Sequence, residues 1–185
     1  MPGESELALR SQLDVLIAHE AVRQRFYAVC RAMDRLDREL LAAQFWPDAE
    51  VDYGVFYKGA IGGFLEIAMG FQGSMRDTHH LVGNVLARVD GATLTAEAYV
   101  QANHVIPTPT GNVQLLVGAR YLSRLERRDG DWRIIYQTEL LDWGRWLPIG
   151  DTWFDDNAEM PKGRRDRKDG SYLLQSFPSA RPDRS

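Results

Sequence analysis

The sequence predicts an α+β domain in which N-terminal helices pack on one face of a curved antiparallel sheet. Apolar residues recur at helical spacing through the N-terminal part of the chain, whereas apolar and polar residues alternate from residue 79 onward. Short turn sequences separate the alternating segments. Because the helical segments come first and the strands follow in one block, the sheet is expected to be a meander covered by the helices on one side.

The first predicted element is a helix over residues 5–34, in which apolar side chains recur every three or four positions. A break near His19–Glu20 would divide it into two helices. The helical spacing continues through "DRLDRELLAAQF" and stops at "WPDAEVDYG", where Pro47 predicts a break and Gly54 a turn. The segment "AEVDY" is predicted as a short strand, and "GAIGGFLEIAMGFQGSM" as a short helix.

Four strands are predicted after this helix. Residues 79–89 form the first, and "DGAT" is a hairpin turn. The clearest alternation runs from Leu94 to Ala102 and ends at His104, after which "PTPTGN" is predicted as a loop. A second apolar face runs from Val113 to Tyr121. The turn "ERRDGDW" then leads into the last long strand, "WRIIYQTELL".

These patterns predict one domain over residues 1–142 and an irregular, partly packed C-terminal extension over residues 143–185. Periodicity is lost from Trp143 onward, although the aromatic residues Trp146, Trp153 and Phe154 indicate that part of the extension packs. The segment "PKGRRDRKDG" contains five basic residues and two aspartates. The favoured interpretation is a solvated tail, and the alternative is a contact with an anion or a partner.

Composition excludes several classes of function. The chain has 185 residues, of which 44% are hydrophobic and 26% charged, which is typical of a globular protein. A net charge of −4 argues against a general nucleic-acid binder. Cys30 is the only cysteine, which excludes a disulfide framework within the chain and favours a reducing compartment. The segment "MPGESELALR" does not resemble a signal peptide and no apolar run has membrane-spanning length, so we predict a cytoplasmic protein without membrane contact.

Asp34 is the first candidate for chemistry. It lies at the end of the helical pattern, on a stripe shared with Phe26, Cys30 and, two turns earlier, Tyr27. A carboxylate on an apolar stripe has to be paired or hydrogen-bonded, because burying a lone charge is costly. The alternative is that Asp34 reaches solvent at the helix end.

Two adjacent histidines, His79 and His80, open the first long strand. Successive strand residues point to opposite faces, so only one of the two can point inward, and His80 shares its face with Val82, Asn84 and Leu86. Alternation alone does not show which face is the inner one.

Motif searches find no phosphate-binding glycine loop, no H-E-x-x-H, no cluster of metal-binding carboxylates and no G-x-S-x-G. We therefore expect acid–base chemistry by His, Asp and Tyr without a metal or cofactor. His104 is either a histidine at the wet end of its strand or a second imidazole over a pocket. Gln137 and Glu139 share one face of the last strand, and Glu139 is a further acid or base if that face is the inner one.

Three segments in this order resemble the SnoaL-like branch of the NTF2-like superfamily: "MDRLDRELLAAQFWPDAEVDY", "THHLVGNVLARVDGATLTAEAYV" and "YLSRLERRDGDWRIIYQTE". The resemblance spans about residues 9–142. This branch includes scytalone dehydratase, bile-acid 7α-dehydratase, hexachlorocyclohexane dehydrochlorinase and the lyases that release formaldehyde from lignin-derived diarylpropanes. It implies a cystatin-like cone, a curved sheet wrapped around N-terminal helices with a central pocket.

The resemblance also implies roles for individual residues. Asp34 would orient and charge His80, the general base, and Tyr53 would polarise the leaving group. Together with the helix stripe, it predicts further substrate-binding residues, namely His104, Gln137, Glu139, Tyr121, Phe71, Met75, Tyr27 and Val100. The chain departs from the family at Val29, where the dehydrochlorinases have a lysine and the bile-acid enzyme has a tyrosine.

The function implied is a cofactor-independent lyase acting on a hydroxylated aromatic or polycyclic small molecule. Dehydration and formaldehyde-releasing C–C cleavage of an aromatic diol both fit the residues. Two alternatives are an isomerase of the ketosteroid type and a non-catalytic small subunit of a ring-hydroxylating dioxygenase. The superfamily further implies a homodimer or homotrimer.

Overall fold

A computed structural model of the chain describes residues 4–149 and 153–172. It has the predicted α+β class, with helices first and a sheet after them. None of the described helices is both long and apolar enough to cross a membrane. The elements are α1 Glu4–Arg35, α2 Arg38–Ala42, β1 Phe45–Asp52, β2 Lys58–Ala60, α3 Ile61–Gly73, β3 Asp77–Asp90, β4 Thr93–Thr108, β5 Gly111–Arg128, β6 Asp131–Pro148 and α4 Trp153–Asp156.

The sheet has six strands in the order β2-β1-β6-β5-β4-β3. Strands β3 to β6 form the predicted antiparallel meander. The prediction of a wholly antiparallel sheet is wrong at β1, which pairs parallel with β6 and antiparallel with β2. Parallel strands need a long connection, and here β2, α3 and three further strands lie between β1 and β6 in the chain.

Helix α1 is continuous, so the predicted break near His19–Glu20 is absent. Neither residue interrupts a helix, and the Glu20 carboxylate accepts a hydrogen bond from the Gln24 side chain one turn later. The helix ends instead at Arg35, because Leu36 adopts a left-handed conformation with φ 52°. Asp37 then caps α2 by accepting a hydrogen bond from the Leu40 amide. "DRLDRELLAAQF" is therefore the end of one helix and the start of another.

The helical segment does stop before Pro47, at Ala42, but Pro47 itself lies inside β1, which begins earlier than the predicted strand "AEVDY". The pairing of β1 with β6 is irregular between Phe45 and Glu50, so Pro47 is not required to donate a ladder hydrogen bond there.

Strands β4, β5 and β6 are longer than predicted. The predicted loop "PTPTGN" belongs to the β4–β5 hairpin, in which Pro107 pairs with Asn112. Strand β3 pairs with β4 only as far as Val105, so Pro107 lies on an edge where its missing N–H costs nothing. Strand β6 likewise continues through Trp143 to Pro148 beside residues 113–118. This part of β6 is exposed, which explains why its residues do not alternate.

The core lies between α1, α3 and the inner face of the sheet. A β-bulge between Val82 and Val85 shifts the inward-facing set of β3 by one residue. His80 and Val82 share the predicted face, but Val85 takes over from Asn84 and Leu86, which are exposed. The largest fully buried apolar side chains are Phe26, Phe45, Leu41, Leu94, Leu125 and Ile134.

The basic C-terminal segment packs against the end of α1, so the interpretation as a solvated tail is wrong for its described part. The Arg167 guanidinium and the Tyr172 hydroxyl both donate to the Asp37 carboxylate. The Asp169 carboxylate is buried and bonds Arg35. Residues 150–152 and 173–185 of the predicted extension lie outside the described residues.

Candidate active site

Asp34 and His80 form a buried pair at the end of α1. The Asp34 carboxylate is 5% exposed and does not reach solvent. Its Oδ1 lies 2.7 Å from His80 Nδ1 and accepts a hydrogen bond from the Thr78 hydroxyl at 3.0 Å. Its Oδ2 accepts one from the His80 backbone N–H at 2.9 Å. Three donors therefore satisfy the hydrogen-bonding capacity of this buried carboxylate.

This pairing selects which nitrogen of His80 is available for chemistry. With Nδ1 held as the donor to Asp34, the lone pair lies on Nε2. The His80 side chain is 3% exposed and lines a cavity. His79, one position earlier, is exposed. The arrangement can therefore remove a proton from a molecule in the cavity and store it as an imidazolium next to a buried carboxylate.

The cavity has a volume of about 180 Å³ and apolar walls. The cavity is open on one side, and its volume is enough for one six-membered ring. Exposed apolar side chains, including Phe56 and Leu141, extend the apolar surface at its edge. The aromatic side chains in its walls are Tyr53, Phe56, Tyr57, Phe64, Phe71 and Tyr121.

His104 faces the cavity next to His80, with ring centroids 5.3 Å apart. It is 7% exposed, and neither ring nitrogen has a hydrogen-bond partner among the described residues. Burial and the neighbouring His80 lower the pKa of His104 to about 4. His104 is therefore a neutral imidazole near pH 7 that offers one donor and one acceptor to a ligand.

Tyr53 lines the cavity, and its hydroxyl accepts a hydrogen bond from a buried glutamine. Gln137 Nε2 donates to the Tyr53 hydroxyl at 2.6 Å, and Gln137 Oε1 accepts from the Ser123 hydroxyl at 3.1 Å. Burial, assisted by the negative charge of Glu139, raises the pKa of Tyr53 well above its ordinary value. Burial likewise raises the pKa of Tyr121. Both phenols therefore remain protonated and can donate hydrogen bonds.

Glu139 projects from β6 into the same cavity, so its strand face is the inner one. Burial raises the pKa of the Glu139 carboxyl, while the nearby His80 acts in the opposite direction. A carboxyl with a raised pKa can hold a proton closer to neutral pH and can give it to a leaving group.

Four residues predicted at the pocket do not line the cavity. Gln137 is fully buried behind Tyr53, and Val100 is packed in the core. Met75 is buried in the connection between α3 and β3. Tyr27 is 44% exposed and lies two turns, or about 10 Å, before Asp34 along α1. The predicted residues His104, Glu139, Tyr121 and Phe71 do line it.

The sequence interpretation missed Gln72 and Tyr57. Gln72 is buried on α3, four residues after Ala68 and eight after Phe64, and its Oε1 has no partner among the described residues. A single amide side chain at a position spaced like the buried apolar residues of α3 could have indicated a buried polar group. Tyr57 packs over α3, donates its hydroxyl to the Ala60 carbonyl and lies so close to Gly63 that a Cβ there would clash with its ring. No spacing pattern predicts that contact.

Among the described residues, no group of three or more His, Cys, Asp or Glu side chains is placed to hold a metal ion.

Comparisons with solved structures show the same fold. Hexachlorocyclohexane dehydrochlorinase LinA-type3 from Novosphingobium barchaimii LL02 is 24% identical with a TM-score of 0.62, over 74% of this chain and 94% of that one. A candidate scytalone dehydratase from Novosphingobium aromaticivorans DSM 12444 is 18% identical with a TM-score of 0.64, over 72% and 90%. A cystatin-like protein of unknown function from Nostoc punctiforme PCC 73102 is 13% identical with a TM-score of 0.55, over 67% and 90%.

These likenesses confirm the predicted cystatin-like α+β fold. No curated protein sequence matches the chain significantly. A family model for the SnoaL-like domain matches residues 14–138, which include Asp34, His80 and His104. The chain therefore belongs to the SnoaL-like domain family of the NTF2-like superfamily.

Proposed function

We propose that this chain is a cofactor-independent lyase that acts on a hydroxylated aromatic small molecule. The observation that carries the proposal is the buried Asp34–His80 pair, whose imidazole opens into an apolar cavity. His80 would be the general base and Asp34 the group that orients it and stabilises its charged form. General acid–base catalysis of this kind contributes roughly 10²–10⁴-fold to a rate.

Dehydration would use the site as follows. His80 Nε2 takes a proton from a carbon next to the one that bears the hydroxyl. The released electron pair forms a C=C bond as the C–O bond breaks. Tyr53, neutral His104 or protonated Glu139 donates to the departing oxygen, which leaves as water.

Formaldehyde release fits the same groups when the substrate is a phenol with a benzylic hydroxyl and a neighbouring CH₂OH. The phenol first loses its proton to solvent, and the benzylic hydroxyl then leaves as water with a proton from a cavity acid, which gives a neutral quinone methide. His80 then removes the CH₂OH proton, the C–C bond breaks, and formaldehyde leaves. The electron pair of that bond forms a C=C bond and restores the phenolate. Glu139 supports this route, because it supplies an acid in addition to the base.

The cavity walls support an aromatic substrate. Six aromatic residues surround a volume of about 180 Å³, which suits one ring rather than a fused polycycle. A second ring would then rest on the exposed side chains of Phe56 and Phe71, which are 59% and 41% exposed. We therefore favour a two-ring substrate with one ring inside the cavity over a steroid.

Isomerisation is the second candidate, and the tyrosine pair favours it. The phenols of Tyr53 and Tyr121 lie together in the cavity with the Glu139 carboxyl. A carboxylate base and a hydroxyl oxyanion hole are the groups used by isomerases of the ketosteroid type. We rank it lower, because the raised pKa of Glu139 makes it a poorer source of a carboxylate.

The purified chain, treated with a chelator, should be screened against hydroxylated aromatic dimers, steroids and polyketides. We expect new ultraviolet conjugation together with loss of water, or of water and formaldehyde, detected by mass spectrometry and a formaldehyde assay. His80→Ala should abolish the reaction, and His79→Ala, which changes an exposed neighbour, should not. A product of unchanged mass would identify an isomerase, and full activity of His80→Ala would exclude the proposed base.

A further inference from the structure

One guanidinium in the C-terminal segment joins three parts of the chain next to the Asp34–His80 pair. Arg165 donates to the Met75 carbonyl at 2.7 Å, to the Gln72 carbonyl at 2.8 Å and to the Asp34 carbonyl at 3.2 Å. These carbonyls come from the end of α1, the end of α3 and the connection that enters β3. Helix ends leave carbonyls without intrahelical partners, and a planar guanidinium can satisfy several of them at once.

The three carbonyls belong to the framework of the candidate active site. Asp34 carries the carboxylate of the pair, and Gln72 lines the cavity. Met75 immediately precedes the stretch that carries Thr78 and His80, the donors to Asp34. The Arg165 side chain itself is not among the residues that line the cavity. It can therefore affect the reaction only indirectly, through the groups that it holds and through its charge.

Independent contacts fix the segment that delivers Arg165. The Asp169 carboxylate accepts a hydrogen bond from the Arg164 amide at 2.7 Å and bonds Arg35 at 3.5 Å. Two residues beyond Arg165, the Arg167 guanidinium bonds Asp37, and Tyr172 donates its hydroxyl to the same carboxylate at 2.7 Å. Arg165 is thus held by a docked strap, residues 163–172, on both sides of its own position.

The Asp34 charge offsets part of the cost of burying the Arg165 guanidinium. Arg165 is half-buried, and burial lowers its pKa below its ordinary value while the negative charge of Asp34 acts in the opposite direction. Arginine remains charged under such conditions. Its positive charge lies near both Asp34 and His104, where it opposes protonation of His104.

We propose that Arg165 is a positioning residue for the Asp34–His80 pair and that the strap is a working part of the active site. The inference rests on the function proposed above for the pair, but it concerns geometry that can be measured without a substrate. Removing the guanidinium takes one donor from each of the three carbonyls, of which that of Gln72 still accepts from the Met75 amide, and it removes a link between α1, α3 and the chain that enters β3. Misplacements of about 1 Å can cost a reaction up to about 100-fold.

The test uses the full chain labelled with ¹⁵N-histidine and compares Arg165→Gln with the wild type. Nuclear magnetic resonance follows the exchange with water of the His80 Nδ1–H proton held by Asp34. We expect exchange to be about tenfold faster in Arg165→Gln, because a more loosely held pair opens more often. Arg165→Lys should lie between the two, since an ammonium can reach fewer of the three carbonyls. The matched control is Arg164→Gln, since the neighbouring Arg164 side chain, among the described residues, pairs with Asp166 alone and on the surface.

Kinetics on a substrate from the screen provide the second readout. We expect kcat of Arg165→Gln to fall about 10- to 100-fold with a nearly unchanged KM, because the reacting groups and not the walls are displaced. Millimolar guanidinium, far below denaturing concentrations, should restore part of the kcat of Arg165→Ala, and the same concentration of ammonium should not.

Wild-type exchange and wild-type kcat in folded Arg165→Gln would overturn the inference, as would equal effects of Arg164→Gln. If Arg165→Gln does not fold, Arg165→Lys and the guanidinium titration of Arg165→Ala decide by the same criteria. Faster exchange in Arg165→Gln together with full activity of His80→Ala would separate the outcomes: the positioning would stand and the proposed base would fail.

Discussion

At the residue scale, the two cavity histidines differ because their partners differ. His80 has the Asp34 carboxylate on Nδ1, whereas His104 has no partner on either nitrogen among the described residues. Burial without a hydrogen-bond partner disfavours the charged form of an imidazole, and this lowers the pKa of His104 to about 4. One histidine is thus suited to accept a proton, and the other to bind a neutral hydroxyl group.

The low pKa of His104 predicts a pH dependence of stability. The unfolded chain binds the proton near pH 6.5 and the folded chain only near pH 4. The free energy of unfolding should therefore be unaffected by His104 above about pH 6.5 and should fall by about 1.4 kcal/mol for each pH unit between 6.5 and 4. His104→Phe should remove this part of the slope, as measured by urea unfolding at a series of pH values.

His79→Phe is the control, because His79 is exposed and should leave the slope unchanged. At pH 7, His104→Phe should unfold no more easily than the wild type, because it removes two unpaired polar atoms. It should nevertheless weaken kcat/KM for a hydroxylated substrate by about tenfold, the value of one hydrogen bond. A variant with the wild-type pH slope would show that His104 is not buried as a neutral group.

At the scale of elements, the sequence predicted the helices and strands whose apolar residues recur periodically and missed the features that leave no periodic pattern. The C-terminal half of the apolar stripe of α1 and the alternation of β4 located the core correctly, whereas the N-terminal half of the stripe is exposed, namely Leu9, Leu13, Leu16 and Ile17. The bulge in β3 was missed, because a bulge changes the alternation without a distinctive residue. The paired ends of β4, β5 and β6 were missed, because strands that are exposed on both faces show no alternation of apolar and polar residues. Asp34 and His80 were predictable as a pair only through the family resemblance, since they lie 46 residues apart.

Helix α3 forms one wall of the cavity, and its packing against Tyr57 predicts an effect of Gly63. A methyl group at Gly63 would meet the Tyr57 ring and hydroxyl, whereas Gly62 has open space. Gly63→Ala should therefore destabilise the fold by about 1–3 kcal/mol. Gly62→Ala should be neutral or stabilising by up to about 1 kcal/mol, since alanine favours helix. Thermal and urea unfolding of both variants would measure this, and equal stabilities would contradict the packing of Tyr57 over α3.

At the scale of the whole molecule, the candidate site is assembled from distant parts of the chain. α1 supplies Asp34, β3 supplies His80, β4 supplies His104 and β6 supplies Glu139. The strap adds Arg165 from 131 residues beyond Asp34. The strap could not be predicted from its composition, because charged residues in a docked segment and in a solvated tail look alike until their partners are known. The predicted homodimer or homotrimer stays a prediction, which light scattering of the purified chain would check.

The central claim, that a buried Asp34–His80 pair performs base catalysis, is tested most directly by kcat/KM of Asp34→Asn on a substrate from the screen. An amide keeps the size of the side chain but neither stabilises an imidazolium nor fixes the same tautomer. We therefore predict a loss of about 100-fold or more. Activity within about twofold of the wild type, in a variant that folds normally, would contradict the claim.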